Sequence, residues 1–318
     1  MVLTSRQNLI KNRDGKAEME FIILGTSASI PTKERNVAGL FLRYRTDGLL
    51  FDCGEATQRQ LNIAGISRQA VTRVFLTHWH GDHMGGLIGL LQTITHGEEG
   101  DKHIDFYGPK GSAKRAEHLL QVSVFDKSLH LDVKEVWPKS VEKILETDRY
   151  AIFAAQMNHS TPCIGFAFLE KDTRNVNMPL LKRMGVREGP HLKQLQEGRS
   201  IVYQGKKIDV ETATTVKKGK KFVYITDTYL CKEAVELAKD ADVLVLESTY
   251  SDALQEKAEQ YKHLTSSMAA TIAVQANVKK LILTHFSQRY KSTHDILEEA
   301  TAIFPNTVCA KDFMRVKL

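Results

Sequence analysis

Cysteine is scarce in this chain of 318 residues, which contains only four. Cys53, Cys163, Cys231 and Cys309 lie far apart and form no C-x-x-C pair. This spacing indicates neither a disulfide framework nor a thiolate metal site. It favours a reducing compartment, and we predict a cytoplasmic protein.

Long apolar runs are also missing. No stretch approaches the roughly 20 apolar residues that are needed to cross a bilayer, so we predict no membrane partner. The first residues mix Arg, Lys, Asn and Asp and contain no signal-peptide core. We interpret residues 1–17 as a polar N-terminal extension that precedes one folded domain at residues 18–318.

The charge of the chain is unevenly distributed. Between Lys171 and Lys207 there are nine basic residues and three acidic ones, an excess that equals the net charge of +6 of the whole chain. The same stretch holds two prolines and four glycines, and few apolar residues that could form a core. A polar, basic segment of this length inside an α/β chain predicts a protruding, flexible arm. A surface insertion without function is the alternative.

The rest of the sequence alternates between β-rich apolar runs and helical patterns. Examples of the runs are Thr72–Thr77, Phe222–Thr226 and Leu281–Leu283, and examples of the helical patterns are Ser266–Gln275 and His294–Ile303. This alternation predicts an α/β fold in which helices cover the sheets.

The most specific pattern is a group of potential metal ligands directly after the run Thr72–Thr77. His78, His80, Asp82 and His83 lie within six residues and lead into a glycine-rich helix start. Imidazole nitrogens and carboxylate oxygens suit zinc, with manganese or iron as alternatives. Such crowding of polar groups at a strand end has no evident folding role. We therefore predict a site for two metal ions.

Three distant residues have the same setting as this group. His159, Asp227 and His285 each follow a β-rich run. Taken singly, each could be an ordinary polar residue at a strand end. Because α/β proteins gather ligands at the carboxyl ends of strands, we expect these three residues to complete two coordination shells. The remaining histidines are predicted to have no metal role: His96, His103, His118, His130, His191 and His294.

The H-x-H-x-D-H pattern, followed by later His, Asp and His residues at strand ends, resembles the metallo-β-lactamase superfamily. The resemblance implies an α/β fold of the four-layer αββα sandwich type. Members of this superfamily hydrolyse lactams, thioesters, lactones, sulfates and phosphodiesters. The metal ligands alone therefore leave the substrate open.

Further segments resemble the ribonuclease Z family, whose members remove 3′ trailers from precursor tRNA. The resemblance runs from about Glu18 to the C-terminus, and Gly189-Pro190 in the basic stretch matches the Gly-Pro motif of the arm in short members of the family. The other matching segments are the opening strand and loop Phe21–Asn36, with Pro31, Lys33, Arg35 and Asn36, then Phe51–Glu55, Leu246–Tyr250 and His263–Thr265.

The family resemblance implies two Zn²⁺ ions per subunit, with Mn²⁺ as an alternative. Asp82 would also act as general base, and His263 would donate a proton to the leaving oxygen. We further predict, independently of the resemblance, that Glu247 orients His263. The implied ligands are His78, His80 and His159 for one ion, Asp82, His83 and His285 for the other, and Asp227 as a bridge. The implied substrate-binding residues are Lys33, Arg35, Asn36, Gly189 and Pro190.

The function implied by this resemblance is a zinc-dependent endoribonuclease that acts on precursor tRNA as a homodimer. Its products would be a tRNA with a 3′ hydroxyl and a trailer with a 5′ phosphate. One alternative is a hydrolase of the same fold for a small phosphodiester, sulfate ester or lactone, but a small substrate needs no basic arm. Another is an RNA-binding or metal-sensing protein, which would require that the ligands do not assemble. The sequence leaves open which metal is bound and how precursors that already carry CCA are handled.

Overall fold

The structure, a computed structural model, describes residues 19–96 and 100–318. The predicted extension at residues 1–17 lies outside the described residues. The chain divides into two compact units. Unit 1 contains the described residues up to Glu135 together with Thr284–Thr293 and Ala310–Leu318, and unit 2 contains Val136–Leu283 and His294–Cys309.

Unit 1 is built around a seven-stranded sheet in the order β20-β1-β3-β4-β5-β6-β7, with a short parallel pair, β2 and β18, beside it. The strands are β1 Met19–Gly25, β2 Ser27–Ala28, β3 Gly39–Tyr44, β4 Asp47–Cys53, β5 Arg73–Phe75, β6 Lys102–Pro109, β7 Leu129–Val136, β18 Phe286–Ser287 and β20 Arg315–Lys317. The helices are α1 Thr57–Ile63, α2 Gly81–Met84, α3 Leu87–Thr93 and α4 Ser112–Gln121, with a 3₁₀ turn at Arg68–Ala70.

The centre of this sheet is parallel. Phe51 of β4 pairs with Phe75 of β5, and Phe75 pairs with Tyr107 of β6. The three rings stack, with centroids 5.1 Å apart for Phe51 and Phe75 and 4.9 Å apart for Phe75 and Tyr107. On the helix side, Leu61 of α1 and Leu90 of α3 join the same buried cluster as residues of β4 and β5. Because β4 and β5 are parallel and in register, whatever follows each of them emerges at the same edge of the sheet.

Unit 2 is built around a second seven-stranded sheet, in the order β19-β17-β16-β15-β10-β9-β8. Its strands, together with four short ones outside the sheet, are β8 Glu142–Glu146, β9 Tyr150–Gln156, β10 Ile164–Glu170, β11 Thr173–Val176, β12 Ile201–Tyr203, β13 Lys206–Ile208, β14 Thr214–Lys217, β15 Lys221–Ile225, β16 Val243–Glu247, β17 Leu281–Thr284 and β19 Thr307–Cys309. The helices are α5 Met178–Arg183, α6 Leu192–Gln196, α7 Val210–Ala213, α8 Lys232–Ala238, α9 Gln255–Tyr261, α10 Ser266–Gln275 and α11 His294–Ile303, with a 3₁₀ turn at Asp252–Leu254.

Strands β16 and β17 are buried along their whole length, which explains why they appear in the sequence as unbroken apolar runs. β15 and β16 are parallel, and Ile225 pairs with Leu246. The helix α10 starts where predicted, with the Thr265 hydroxyl accepting a hydrogen bond from the Met268 N–H. Among the helices of the described ranges, none has both the length and the apolar character that a bilayer-spanning helix requires.

The basic segment lies within an excursion of the chain, residues 171–220, between β10 and β15. These two strands pair with each other, and Leu169 lies opposite Lys221, so the excursion leaves and rejoins the sheet at one point. The Glu170 N–H donates to the Lys220 carbonyl at 2.9 Å. A Cβ on Gly219 would lie 1.8 Å from the Glu170 carbonyl oxygen, so only glycine allows these two segments of the chain to approach this closely.

The excursion has a small apolar core of its own. β11 pairs with β14, and β12 forms a hairpin with β13 whose turn, Gln204-Gly205, has positive φ at both residues. The buried residues of this core are Leu181, Val186, Leu195, Ile201, Ile208, Val210 and Ala213. Four of these residues, Leu181, Val186, Leu195 and Ile201, come from the stretch Lys171–Lys207, where we expected few residues that could form a core. These residues are spaced irregularly along the chain, and only the folded hairpin and helices bring them together.

Candidate metal centre

The first candidate cluster lies at the edge of the unit 1 sheet where β4 and β5 end. Asp52 is near the end of β4, and Thr77 and His78 follow β5. The chain then enters the short helix α2, which carries Asp82 and His83. The parallel register of the two strands therefore places Asp52 beside the His-rich turn.

Asp52 anchors this turn by hydrogen bonds to Thr77 and His83. Its carboxylate, which is fully buried, accepts the Thr77 N–H at 2.8 Å and the Thr77 hydroxyl at 3.0 Å. It also lies 2.8 Å from Nδ1 of His83. Because an ionised carboxylate only accepts hydrogen bonds, Nδ1 of His83 carries the proton and Nε2 presents a lone pair.

The same reasoning assigns the tautomer of His78. The Thr77 hydroxyl has one hydrogen, which it donates to Asp52, so its oxygen accepts from Nδ1 of His78 at 3.0 Å. Nε2 of His78 therefore presents a lone pair, and it lies 2.9 Å from Nδ1 of His80. The carboxylate of Asp52 thus orients two imidazole rings, one directly and one through Thr77.

Asp82, His83 and His285 form a compact triangle of potential ligand atoms within unit 1. Nε2 of His83 lies 3.2 Å from Nε2 of His285 and 3.4 Å from Oδ2 of Asp82, and Nε2 of His285 lies 3.5 Å from Oδ2 of Asp82. Ligands about 2.0–2.1 Å from a tetrahedral zinc lie about 3.3 Å from one another. The triangle therefore has the size that one zinc ion requires.

A second cluster lies at an edge of the unit 2 sheet. Asp227 follows β15, and its carboxylate Oδ2 lies 3.7 Å from Nε2 of His159, which follows β9. Nδ1 of His159 lies 3.1 Å from the Lys262 carbonyl, which can only accept, so Nε2 of His159 presents a lone pair. The pKa of His159 is lowered, chiefly because burial disfavours the charged ring. His159 is therefore suited to act as a neutral ligand.

His263 and Glu247 form the other part of this cluster. Glu247 is fully buried at the end of β16, and Nδ1 of His263 lies 3.0 Å from one of its oxygens. The carboxylate also accepts the N–H groups of Thr228 at 2.6 Å and Leu264 at 3.2 Å. These donors satisfy the buried carboxylate oxygens of Glu247, and the bond from His263 fixes the orientation of its ring.

The residues predicted to bind substrate have different surroundings. Lys33 is exposed. The Arg35 guanidinium donates to the Tyr290 carbonyl at 2.6 Å, and the Asn36 amide donates to the Glu55 carbonyl at 2.8 Å. These two side chains therefore hold a loop together in the structure.

Gly189 in the excursion is covered by the ring of His191, because a Cβ there would lie 2.9 Å from it. Pro190 stands between these two residues in the chain. The backbone of Gly189 thus lies close to the His191 ring, and the missing side chain of Gly189 leaves room for that ring.

Sequence reasoning missed the residues that support the ligand histidines of unit 1. Asp52 and Thr77 were not predicted as parts of the site, although an Asp at the end of a β-rich run was a usable signal. A further group, Asp101, His103 and His130, has ligand atoms within 4.8 Å of one another on the exposed surface of unit 1. No metal role was predicted for these histidines, and their exposure leaves the rings hydrated, unlike those of the buried triangle.

Comparison with known protein families defines the class to which this fold and these clusters belong. A family model described as "Beta-lactamase superfamily domain" matches residues 206–286, and one described as "Anti-Pycsar protein Apyc1" matches residues 19–171. The first match covers about a quarter of the chain and, together with the two seven-stranded sheets and the His and Asp clusters, indicates the metallo-β-lactamase fold. This confirms the predicted fold class.

Curated relatives and a solved structure narrow the class to one family. Ribonuclease Z of Picosynechococcus sp. is 38% identical over 93% of this chain and 95% of its own length, and that of Geobacillus kaustophilus is 38% identical over 93% and 97%. The crystal structure of the human short-form tRNase Z matches with a TM-score of 0.69 at 27% identity, over 94% of this chain and 98% of that one. The chain therefore belongs to the ribonuclease Z family.

Replacing Asp52 by Asn should weaken zinc binding about 10- to 100-fold, because outer hydrogen bonds of this kind orient ligand histidines. Zinc affinity of the purified protein, measured by competition with a chromophoric chelator, checks this. Asp47→Asn is the matched control, since Asp47 begins the same strand and pairs with Arg73 at 3.3 Å. Equal zinc affinity in Asp52→Asn and the wild type would show that Asp52 does not support the metal ligands.

Proposed function

We propose that this chain is a zinc-dependent endoribonuclease that removes the 3′ trailer from precursor tRNA. The observation that carries the proposal is the triangle of Asp82, His83 and His285, whose ligand atoms lie 3.2–3.5 Å apart in a chain of the ribonuclease Z family. Curated relatives described as ribonuclease Z match almost the whole chain.

The donor set supports zinc as the metal. His78, His83 and His159 each have Nδ1 fixed by an oxygen, which directs the lone pair of Nε2 away from that partner. Metal-binding histidines generally show this arrangement. The family pattern then assigns two ions. His78, His80 and His159 would hold one, Asp82, His83 and His285 the other, and Asp227 would bridge them.

Zinc ions in such a site act as Lewis acids, which stabilise charge on phosphoryl oxygens and make water nucleophilic at neutral pH. Asp82 accepts a proton from the attacking water. As the new P–O bond forms, the bond between phosphorus and the 3′ oxygen of the tRNA breaks. The phosphate stays on the 5′ end of the trailer, and the tRNA keeps its 3′ oxygen.

His263 supplies the proton for that leaving oxygen. The 3′ alkoxide of a ribose is a poor leaving group, so donation of a proton as the bond breaks lowers the barrier. Glu247 accepts a hydrogen bond from the Nδ1–H of His263 and so stabilises the doubly protonated ring without taking its proton, as the carboxylate of a catalytic triad does. His263 is therefore the general acid, and Glu247 positions it.

The excursion at residues 171–220 would bind the tRNA. Its basic residues between Lys171 and Lys207 exceed the acidic ones by six, and Lys182, Arg183 and Arg187 are exposed. Basic side chains bind RNA phosphates by shape and charge, with release of counterions. The core of the excursion would give these side chains a fixed spacing. Gly189 and Pro190 would contribute to the same surface, while Lys33, Arg35 and Asn36 would contact the 3′ end of the tRNA.

The family pattern also supports a homodimer in which the arm of one subunit binds the tRNA that its partner cleaves. We further propose that the protein acts in the cytoplasm, where tRNA precursors are processed. Both proposals rest on the family pattern and on the composition of the chain.

The purified protein with Zn²⁺ should cut a precursor tRNA once, at the start of its 3′ trailer. The tRNA should end in a 3′ hydroxyl and the trailer should begin with a 5′ phosphate, because the 3′ oxygen is the leaving group. Mapping both product ends by primer extension and mass spectrometry measures this. A chelator should abolish the cut and added Zn²⁺ should restore it. A 3′ phosphate on the tRNA would contradict the mechanism.

His263→Ala should lower kcat for precursor tRNA by about 10²–10⁴-fold, as expected for loss of a general acid. The same variant should still hydrolyse bis(p-nitrophenyl) phosphate near the wild-type rate, because p-nitrophenolate leaves without a proton. His294→Ala, on the exposed start of α11, is the control. Equal losses on both substrates would show that His263 is needed for something other than proton donation.

Deleting Thr173–Lys217 should impair cleavage of precursor tRNA at least 100-fold, mainly through KM, and spare bis(p-nitrophenyl) phosphate. The deletion keeps Asp172 and Lys218, which pair at 2.8 Å where the excursion leaves the sheet, so a short glycine linker closes the gap. Steady-state kinetics with both substrates measures the effect. Unchanged cleavage of precursor tRNA would favour a small phosphodiester as the substrate instead.

A further inference from the structure

The loop from Thr26 to Asn36 contacts Asp82 of the unit 1 triangle and Phe286, the residue after His285. The Ser29 N–H donates to Oδ2 of Asp82 at 2.8 Å, and Ser29 has a positive φ of 55° that turns its N–H toward that oxygen. The Phe286 N–H, next to His285 in the chain, donates to the Thr26 carbonyl at 2.8 Å. The position of this loop therefore determines where the carboxylate of Asp82 and the backbone beside His285 lie.

Two further contacts join the loop to the segment after His285. β2 and β18 are parallel, with Ser27 opposite Phe286. The Arg35 guanidinium, from the far end of the loop, donates to the Tyr290 carbonyl. His285 itself has a positive φ of 60°, a conformation that the surrounding hydrogen bonds must enforce.

One carboxylate, that of Asp312, joins the two ends of the loop. Its Oδ1 accepts the Thr26 hydroxyl at 2.8 Å, and its Oδ2 accepts the Asn36 N–H at 2.7 Å. The amide of Gln60 in α1 also donates to Oδ2 at 3.2 Å and to the Leu24 carbonyl at 2.7 Å. Asp312 thus fixes the loop to itself and to the helix beneath it.

The base of the loop is closely packed around this carboxylate. The N–H groups of Thr26 and Ser27 donate to the Asn36 carbonyl at 2.9 and 2.8 Å. A Cβ on Gly25 would lie 1.8 Å from the Val37 carbonyl oxygen, so the two chains touch there. Buried donors that lose their acceptor must find a new one. We therefore expect the two segments at the base of the loop to move apart when the Asp312 carboxylate is removed.

We infer that Asp312 is a positioning residue for the candidate metal centre, acting through the Thr26–Asn36 loop on Asp82 and His285. The inference rests on the proposed metal site and extends it to a residue that lies far from the ligands in sequence, after the last helix of the chain. Asp312 contacts no reacting group in this scheme. Its effect on the centre is transmitted by the Ser29 and Phe286 N–H groups.

Co²⁺ substitution tests this, because its visible absorption bands report the geometry of the ligands. We expect Asp312→Ala to weaken Co²⁺ binding at least tenfold and to alter the absorption bands, and Asp312→Asn, which keeps one acceptor oxygen, to give an intermediate result. The matched control is Asp242→Ala in unit 2. Asp242 also accepts several hydrogen bonds, from the Lys221 N–H at 2.9 Å and the Lys279 ammonium at 2.8 Å. It should lose stability but keep the wild-type Co²⁺ spectrum.

Hydrogen exchange of the metal-free protein gives a second readout. The amides of Ser29 and Phe286 should exchange at least tenfold faster in Asp312→Ala than in the wild type, and at the wild-type rate in Asp242→Ala. If Asp312→Ala does not fold, Thr26→Val removes a single hydrogen bond to the carboxylate with little change in volume. It should show the same effects at smaller size.

Wild-type Co²⁺ affinity, spectrum and exchange in Asp312→Ala would overturn the inference. The Co²⁺ and exchange measurements need no RNA. A wild-type protein that binds Co²⁺ but does not cut precursor tRNA would refute the proposed function and leave this inference standing. A wild-type protein that binds no Co²⁺ would overturn both.

Discussion

Unit 1 holds the ligand atoms of Asp82, His83 and His285 within 3.2–3.5 Å of one another, with both histidines buried and Asp82 partly buried. Polar atoms removed from water cost roughly 2–7 kcal/mol each unless they find partners, and lone pairs directed at one point do not satisfy one another. Hydrogen bonds on the far side of the ligand atoms therefore help to fix the side chains of His83 and Asp82. Asp52 supplies one of these bonds to His83, and the Ser29 N–H supplies one to Asp82.

In each unit, a buried carboxylate orients a histidine through its Nδ1. In unit 1, Asp52 near the end of β4 accepts the N–H of Thr77, just past the parallel neighbour β5, and binds Nδ1 of His83. In unit 2, Glu247 at the end of β16 accepts the N–H of Thr228, just past the parallel neighbour β15, and binds Nδ1 of His263. In both, parallel pairing brings a buried carboxylate beside the N–H that anchors it. In the proposed mechanism, the first of these rings binds a metal and the second donates a proton.

In the proposed function, the excursion binds the substrate, and residues outside it carry out the chemistry. It joins the unit 2 sheet through one neck, at Glu170 and Gly219, and has its own buried residues. A basic surface on such a support can vary in shape and charge with little effect on the strands that carry the candidate ligands. Such an arrangement suits an enzyme that cleaves a single bond in a large substrate.

The sequence predicted most reliably what is local. His78, His80, Asp82 and His83 could be recognised because four ligand-type residues stand together after a β-rich run, and the α/β fold followed from the alternation of runs and helical patterns. His159, Asp227 and His285 were located only as strand-end residues of the right type. The tautomer of His159, for example, depends on the Lys262 carbonyl, which lies 103 residues away in the chain.

What stayed hidden from sequence reasoning depends on contacts between distant residues. Asp52 gains its role from the register that pairs Phe51 with Phe75, and Asp312 gains its contacts from a loop 276 residues earlier in the chain. The core of the excursion has no helical or strand period to reveal it. The amino-acid sequence by itself determined which atoms can bind metal and which fold can carry them, because side-chain chemistry and hydrophobic period are local properties. Only the tertiary structure decided which groups hold those atoms in place, because hydrogen bonds depend on distances that folding alone creates.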